Sequence, residues 1–179
     1  MELPASLYVP ADDGGWTATA LTIGPWDAGL QHAGPPAALL LREAERVSGI
    51  DGGQTVRLAY DNFAPVPVGP VRIATSVVRP GRRVELVEAV LTAAGERPLM
   101  RLSAWRMRLR EDGAGPDEPL PHPAAVRPEE SKPEDAEFFT EDVAYHRAME
   151  WRFFAGSFNS PGPAAAWTRA NCDLVEGSP

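Results

Sequence analysis

The sequence predicts an α+β fold in which one helix packs on an antiparallel β-sheet. A single run with helical apolar spacing, over 36–47, is followed by four strand-like segments in succession between 54 and 110. A doubly wound sheet would need helices between its strands, and this chain has only one good candidate.

The elements follow in order. "GWTATALTI" (Gly15 to Ile23) is rich in β-branched and aromatic residues and reads as a strand, which "GPWDAG" then breaks. Pro35 is predicted as a helix N-cap, because the proline after it disfavours the α region, and Pro36 as the first helical residue. Ala37, Leu40, Leu41, Ala44 and Val47 keep helical spacing, charges appear only in the second half, and "SGIDGG" stops the helix. In "QTVRLAYDNF", Val56, Leu58 and Tyr60 alternate with Arg57, Ala59 and Asp61 as in a half-buried strand. "VRIATSVVRP", "RRVELVEAVLTA" and "PLMRLSAWRMRLR" complete the set, joined by the short turns "RPGRR" and "AAGERP".

Glu111 to Asp135 holds six prolines and many acids and is predicted to be an extended linker. Beyond it, "AMEWRFFAG" and "AAAWTRANCDLV" read as two further strands. Two strands alone are marginal in water, so they must pair with another element or begin a second unit. The expected organisation is therefore a first domain over 1–110, a linker over 111–135, and the start of a second unit over 136–179.

Composition excludes several classes of function. At 44% hydrophobic the chain can build a core, and Cys172, its only cysteine, rules out an internal disulfide. No apolar run approaches the roughly 20 residues that cross a bilayer, and the N-terminus lacks a signal-peptide pattern. These features point to a cytoplasmic protein without membrane partners. The net charge of −8 divides into +1 up to Arg110 and −9 beyond it, which disfavours nucleic-acid binding. Three histidines and one cysteine without ligand spacing predict no metal, and no cofactor is expected.

Three stretches, "HAGPPAALLL", "NFAPVPVGPVRIATSVVRPGRRVELVEAVL" and "AWTRAN", resemble the acyl-CoA thioesterase II-like family, whose members carry two hotdog units in one chain. The resemblance implies a hotdog fold, an antiparallel sheet wrapped around one long central helix, and hydrolysis of a fatty acyl-CoA to free acid and CoA. It also implies assembly, either as a homo-oligomer or by pairing between hotdog units. In that family the second unit supplies a helix bearing an aspartate, and strands carrying Thr and Gln. The chain ends at Pro179, about where that helix should begin, so the expectation is a piece of a longer two-unit protein; strand-associated Asp173 does not replace that aspartate.

On this resemblance the thioester lies at the helix mouth, beside Gly34. The amides of Ala37, Ala38 and Leu39 are then the expected oxyanion donors, since the two prolines donate nothing. The acid of an "HGG…E" arrangement would fall at Leu41, and Glu43 is rotated about 200° further round the helix. His32 is the candidate catalytic residue, as acid/base or as a donor to the thioester oxygen; the other reading is a loop residue whose ring bonds the backbone. Asp27 and His32 also form the D-x4-H spacing of hotdog enoyl-CoA hydratases, though without the flanking residues of that motif. Arg79, Arg82 and Arg83 are candidates for CoA phosphates, against the alternative of a solvated turn. The five tryptophans read as core or interface, Met100 and Met107 as core, and Cys172 as a small apolar residue. A non-catalytic acyl-CoA or lipid-binding module stands as the alternative function.

Overall fold

The computed structural model describes residues 3–93, 95, 97–109, 126–135, 137, 139 and 141–177. In chain order these form β1 (Ser6–Pro10), β2 (Trp16–Ala18), α1 (Gly34–Arg46), β3 (Gly53–Asn62), β4 (Pro70–Arg79), β5 (Val84–Thr92) and β6 (Pro98–Arg108). After the segment outside the described residues come β7 (Lys132–Pro133), α2 (Tyr145–Ala148), β8 (Met149–Ala155), β9 (Ala165–Ala170) and β10 (Asp173–Val175). One sheet has seven strands in the order β10-β1-β2-β4-β5-β6-β3, and a second has three in the order β7-β8-β9. Every neighbouring pair is antiparallel except β1 and β10, which run parallel with Ser6 opposite Asp173 and Tyr8 opposite Val175.

The period-2 pattern of β5 shows how the core is written. Glu85, Val87, Ala89 and Leu91 point to the face that carries α1 and are buried, while the residues between them are partly open. β6 repeats this with Met100, Leu102, Ala104 and Arg106. Leu39, Leu40 and Ala44 of α1 fill the space opposite, all at 0% exposure. Each of the two leucines contributes about 2 kcal/mol by leaving water. The tight β4–β5 turn needs a glycine at 81, because a Cβ there would lie 2.3 Å from the Val84 carbonyl oxygen.

Several expectations are corrected. "GWTATALTI" is strand only over Trp16–Ala18, then closes into a 3-10 turn over Ala20–Thr22. There the Thr22 amide and hydroxyl both donate to the Thr19 carbonyl, so local bonding overrides β propensity. Val47 does not join the core: it is 40% exposed past the end of α1. Val56 sits in a bulge of β3, the end strand of its sheet among the described residues, and is exposed, as is Leu58. Met100 is buried but Met107, an odd number of residues along the same strand, faces the other way and is 43% exposed. "AAAWTRANCDLV" is two strands on different sheets, β9 and β10, with the break at Asn171 and Cys172. Within the expected linker, Lys132 and Pro133 pair with Phe153 and Arg152; residues 111–125 lie outside the described residues. Trp26 belongs to neither core nor sheet and is 91% exposed.

Candidate functional site

The start of α1 is built by a close set of main-chain contacts. Ala33 is the N-cap and Gly34, Pro35 and Pro36 are the first helical residues, so the helix begins two positions earlier than the proline argument predicts. A first turn tolerates proline because its N–H would have no helical partner anyway. This shift corrects the expected oxyanion donors. The Ala37 amide donates to the Ala33 carbonyl at 3.2 Å, and helical geometry engages the amides of Ala38 and Leu39 one and two carbonyls further on. Leu39 is also fully buried in the core. Only Ala33 and Gly34 retain first-turn amides, and that of Gly34 donates to His32 Nδ1 at 3.1 Å.

His32 therefore bonds the backbone through its ring. With Nδ1 accepting, the neutral imidazole carries its proton on Nε2. Its main-chain N–H donates to the Thr22 carbonyl at 2.7 Å, and one ring face stacks on Tyr145 with centroids 4.3 Å apart and planes 16° apart. Burial pushes the His32 pKa below its ordinary value, so the ring is neutral at pH 7. Gly34 suits this packing: a Cβ there would come within 2.8 Å of Tyr145 Oη and 3.1 Å of His32 Nδ1, so one of the two side chains would have to shift. Sequence reading missed Tyr145, which lies in the short helix α2 and whose main-chain N–H donates to the Ile23 carbonyl.

Beside this packing lies a cleft of about 360 Å³ at the mouth of α1. Its walls are Ala33, Pro36, Phe63, Ala64, Pro65, Val66 and Met100, with Gln31 and Asn62 as polar members. His32 is not one of its walls; the adjacent Gln31 is. Gln31 Nε2 donates to the Pro67 carbonyl at 2.7 Å, and Tyr8 Oη donates to Gln31 Oε1 at 2.6 Å. Tyr8 is completely buried, and burial, with Tyr145 nearby, holds its phenol well above the ordinary range. Among the described residues, no carboxylate lines the cleft.

The arginines stand elsewhere. Arg79, Arg82, Arg83 and Arg108 line a second, open cleft of about 1510 Å³ with Asp51 and Gly52, the residues that follow α1. The 13 residues of α1, about 20 Å of helix, separate it from the mouth. Asp27 does not pair with His32: its carboxylate accepts the Gly29 amide at 2.7 Å in an exposed turn, which removes the geometry of the hydratase reading. Glu43 is ion-paired with Arg42, whose guanidinium lies over Trp16. Burial raises the Cys172 pKa, with Asp173 adding to it, so the residue stays a thiol. No helix among the described residues is long and apolar enough to cross a membrane.

Residues 22–107 match the family described as the acyl-CoA thioesterase N-terminal domain. No curated protein sequence matches the chain. Among solved structures, a candidate thioesterase II from Thermobifida fusca YX superposes with a TM-score of 0.63 at 21% identity, over 83% of this chain and 52% of that one. A protein of unknown function with a hot dog fold from Alicyclobacillus acidocaldarius gives 0.70 at 18% identity, over 93% and 61%. A candidate thioesterase from Novosphingobium aromaticivorans gives 0.67 at 23% identity, over 94% and 66%. The chain thus spans between about half and two thirds of the length of these structures. The curled antiparallel sheet with α1 against it is a hotdog fold, and the match of residues 22–107 to the acyl-CoA thioesterase N-terminal domain supports a thioesterase-like hotdog family for this segment.

Proposed function

We propose that this chain is the N-terminal part of an acyl-CoA thioesterase that hydrolyses a fatty acyl-CoA to free acid and CoA. The observation that carries the reading is the apolar-walled cleft at the mouth of α1, within the segment that matches the thioesterase domain. An acyl thioester fits such a wall, with its carbonyl directed at the few polar groups present. In the reaction, water adds its oxygen to the acyl carbon and a proton reaches the departing sulfur. A C–O bond replaces C–S, and acid and CoA thiol result.

On this proposal the first unit spans 1–110 and a second begins over 136–179. The base that activates water comes from that second unit or from a partner subunit, since no acid among the described residues lines the cleft. Gly34 leaves room for Tyr145 and His32 beside the mouth, and the cleft takes the place expected for the thioester. His32 acts by holding the Gly34 amide and not as the acid/base group. Arg79 and Arg82, with Arg83 and Arg108, receive CoA phosphates or remain solvated. Exposed Val56 and Leu58 on edge strand β3 support pairing with another hotdog unit, as a homo-oligomer or within a longer chain. A cytoplasmic location remains part of the proposal.

A second reading is a non-catalytic acyl-CoA-binding module, in which the apolar cleft, lined among the described residues by no acid, holds the acyl group without hydrolysing it. Release of CoA thiol from straight-chain acyl-CoAs, followed with a thiol-reactive chromophore, separates the two. Turnover supports the hydrolase. Binding without thiol release supports the module, and neither binding nor release removes both.

A further inference from the structure

We propose that Gln31 is the hydrogen-bond donor for the acyl carbonyl oxygen in the helix-mouth cleft, and that Tyr8 is the residue that positions it. This rests on the acyl-CoA reading of the cleft and adds to it the group that recognises the carbonyl.

The orientation of the Gln31 amide is fixed by its partners. The Pro67 carbonyl can only accept, so the amide end facing it at 2.7 Å must be Nε2. The other end is then Oε1, and Tyr8 must be the donor in their 2.6 Å bond. The main chain is pinned as well: the Gln31 N–H donates to the Val66 carbonyl at 2.8 Å, and Gln31 bridges to Ile23. Nε2 carries two protons, and one of them is engaged by Pro67. The second belongs to a side chain on the wall of the cleft, among Pro36, Phe63, Val66 and Met100. A fixed neutral donor in apolar surroundings binds a carbonyl oxygen, and binds it more strongly as that oxygen gains negative charge.

The competing donor is His32 Nε2–H. His32 is not on the cleft wall, and it titrates. Gln31 does not titrate, and the buried Tyr8 hydroxyl keeps its proton throughout the physiological range. The two assignments therefore differ in pH dependence. Recognition through Gln31 is flat between about pH 5 and pH 8, and recognition through His32 changes as the imidazole charges.

Two non-hydrolysable probes isolate the carbonyl: S-(2-oxohexyl)-CoA and S-hexyl-CoA, which differ only by that oxygen. Calorimetric titration of the full chain should show the ketone bound about three- to tenfold more tightly, independently of pH. Gln31→Leu should erase that preference, bringing the two probes to equal affinity, and Tyr8→Phe should reduce it. In the wild-type protein the side-chain amide resonances of Gln31 should shift clearly further with the ketone than with the alkyl probe, a readout that does not depend on a variant folding. A preference that survives in Gln31→Leu, or that follows the titration of His32, overturns the assignment but leaves the cleft an acyl-CoA site. If the wild-type chain binds neither probe, the acyl-CoA reading falls and the assignment falls with it.

Discussion

The His32 ring is held on one side by the Gly34 amide and on one face by Tyr145, and its burial has a consequence for stability. The folded-state pKa of His32 is lowered, so below about pH 6.5 the unfolded chain takes up a proton that the folded chain resists. The stability involved is complete above that pH and declines as pH falls. His32→Gln should therefore flatten part of the acid limb of stability between pH 7.5 and 5.5, read from urea midpoints at each pH in steps of about half a unit. Only part is removed, because burial also lowers the His146 pKa. Gly34→Ala must displace the Tyr145 hydroxyl or the imidazole, and should cost about 1–2 kcal/mol in the same measurement. At this scale the sequence was only half legible. His32 stands out as a residue type, and its two readings, ring to substrate or ring to backbone, differ only by where one nitrogen points. Gln31 has no local signal at all, since its partners Tyr8 and Pro67 lie 23 and 36 residues away in sequence.

At the scale of elements, the C-terminal end of α1 is tied to three strands by a polar network. Arg106 Nε donates to Ser48 Oγ at 2.9 Å, and Nη1 to Glu45 Oε1 at 2.7 Å and Thr55 Oγ1 at 2.9 Å. Nη2 donates to the Gly53 carbonyl at 2.7 Å. Ser48 in turn donates to buried Glu85, which also accepts the Gly49 amide at 3.2 Å. Removing Arg106 strands several acceptors beside a buried carboxylate. Arg106→Met should lose about 3 kcal/mol in chemical denaturation, and Arg106→Lys should recover little of it, since an ammonium lacks the planar fork. The long strands that carry this network were legible, because β5 alternates along its whole length and its turns bear Gly and Pro. β1 was not, as five residues give little pattern and their neighbours are β2 and a strand 167 residues away along the chain. The helix start was missed for a different reason. Local proline sterics argue against Pro35 in the helix, and the contacts of Gly34 with His32 and Tyr145 decide the matter.

Across the whole molecule, parts of the segment after the Pro-rich stretch pack against the seven-stranded sheet and α1. β10 closes the seven-stranded sheet against β1, and Val143, Ala148 and Val175 join the same buried cluster as Leu39 and Leu40. A chain shortened to 1–109 would leave β1 as an open edge and uncover His32. Its β1 amides should lose hydrogen-exchange protection, and its His32 pKa should move up toward the ordinary value as the ring gains solvent. Unchanged protection and pKa would mean that the later segment is dispensable to the first unit. The central claim is that the helix-mouth cleft takes the acyl end of an acyl-CoA. Backbone amide shifts on titration with S-(2-oxohexyl)-CoA test it most directly. The account predicts that the perturbed amides are those of Gln31, Ala33, Phe63, Ala64 and Val66. Shifts confined to the Arg79–Arg83 turn, or no shifts at all, would contradict it.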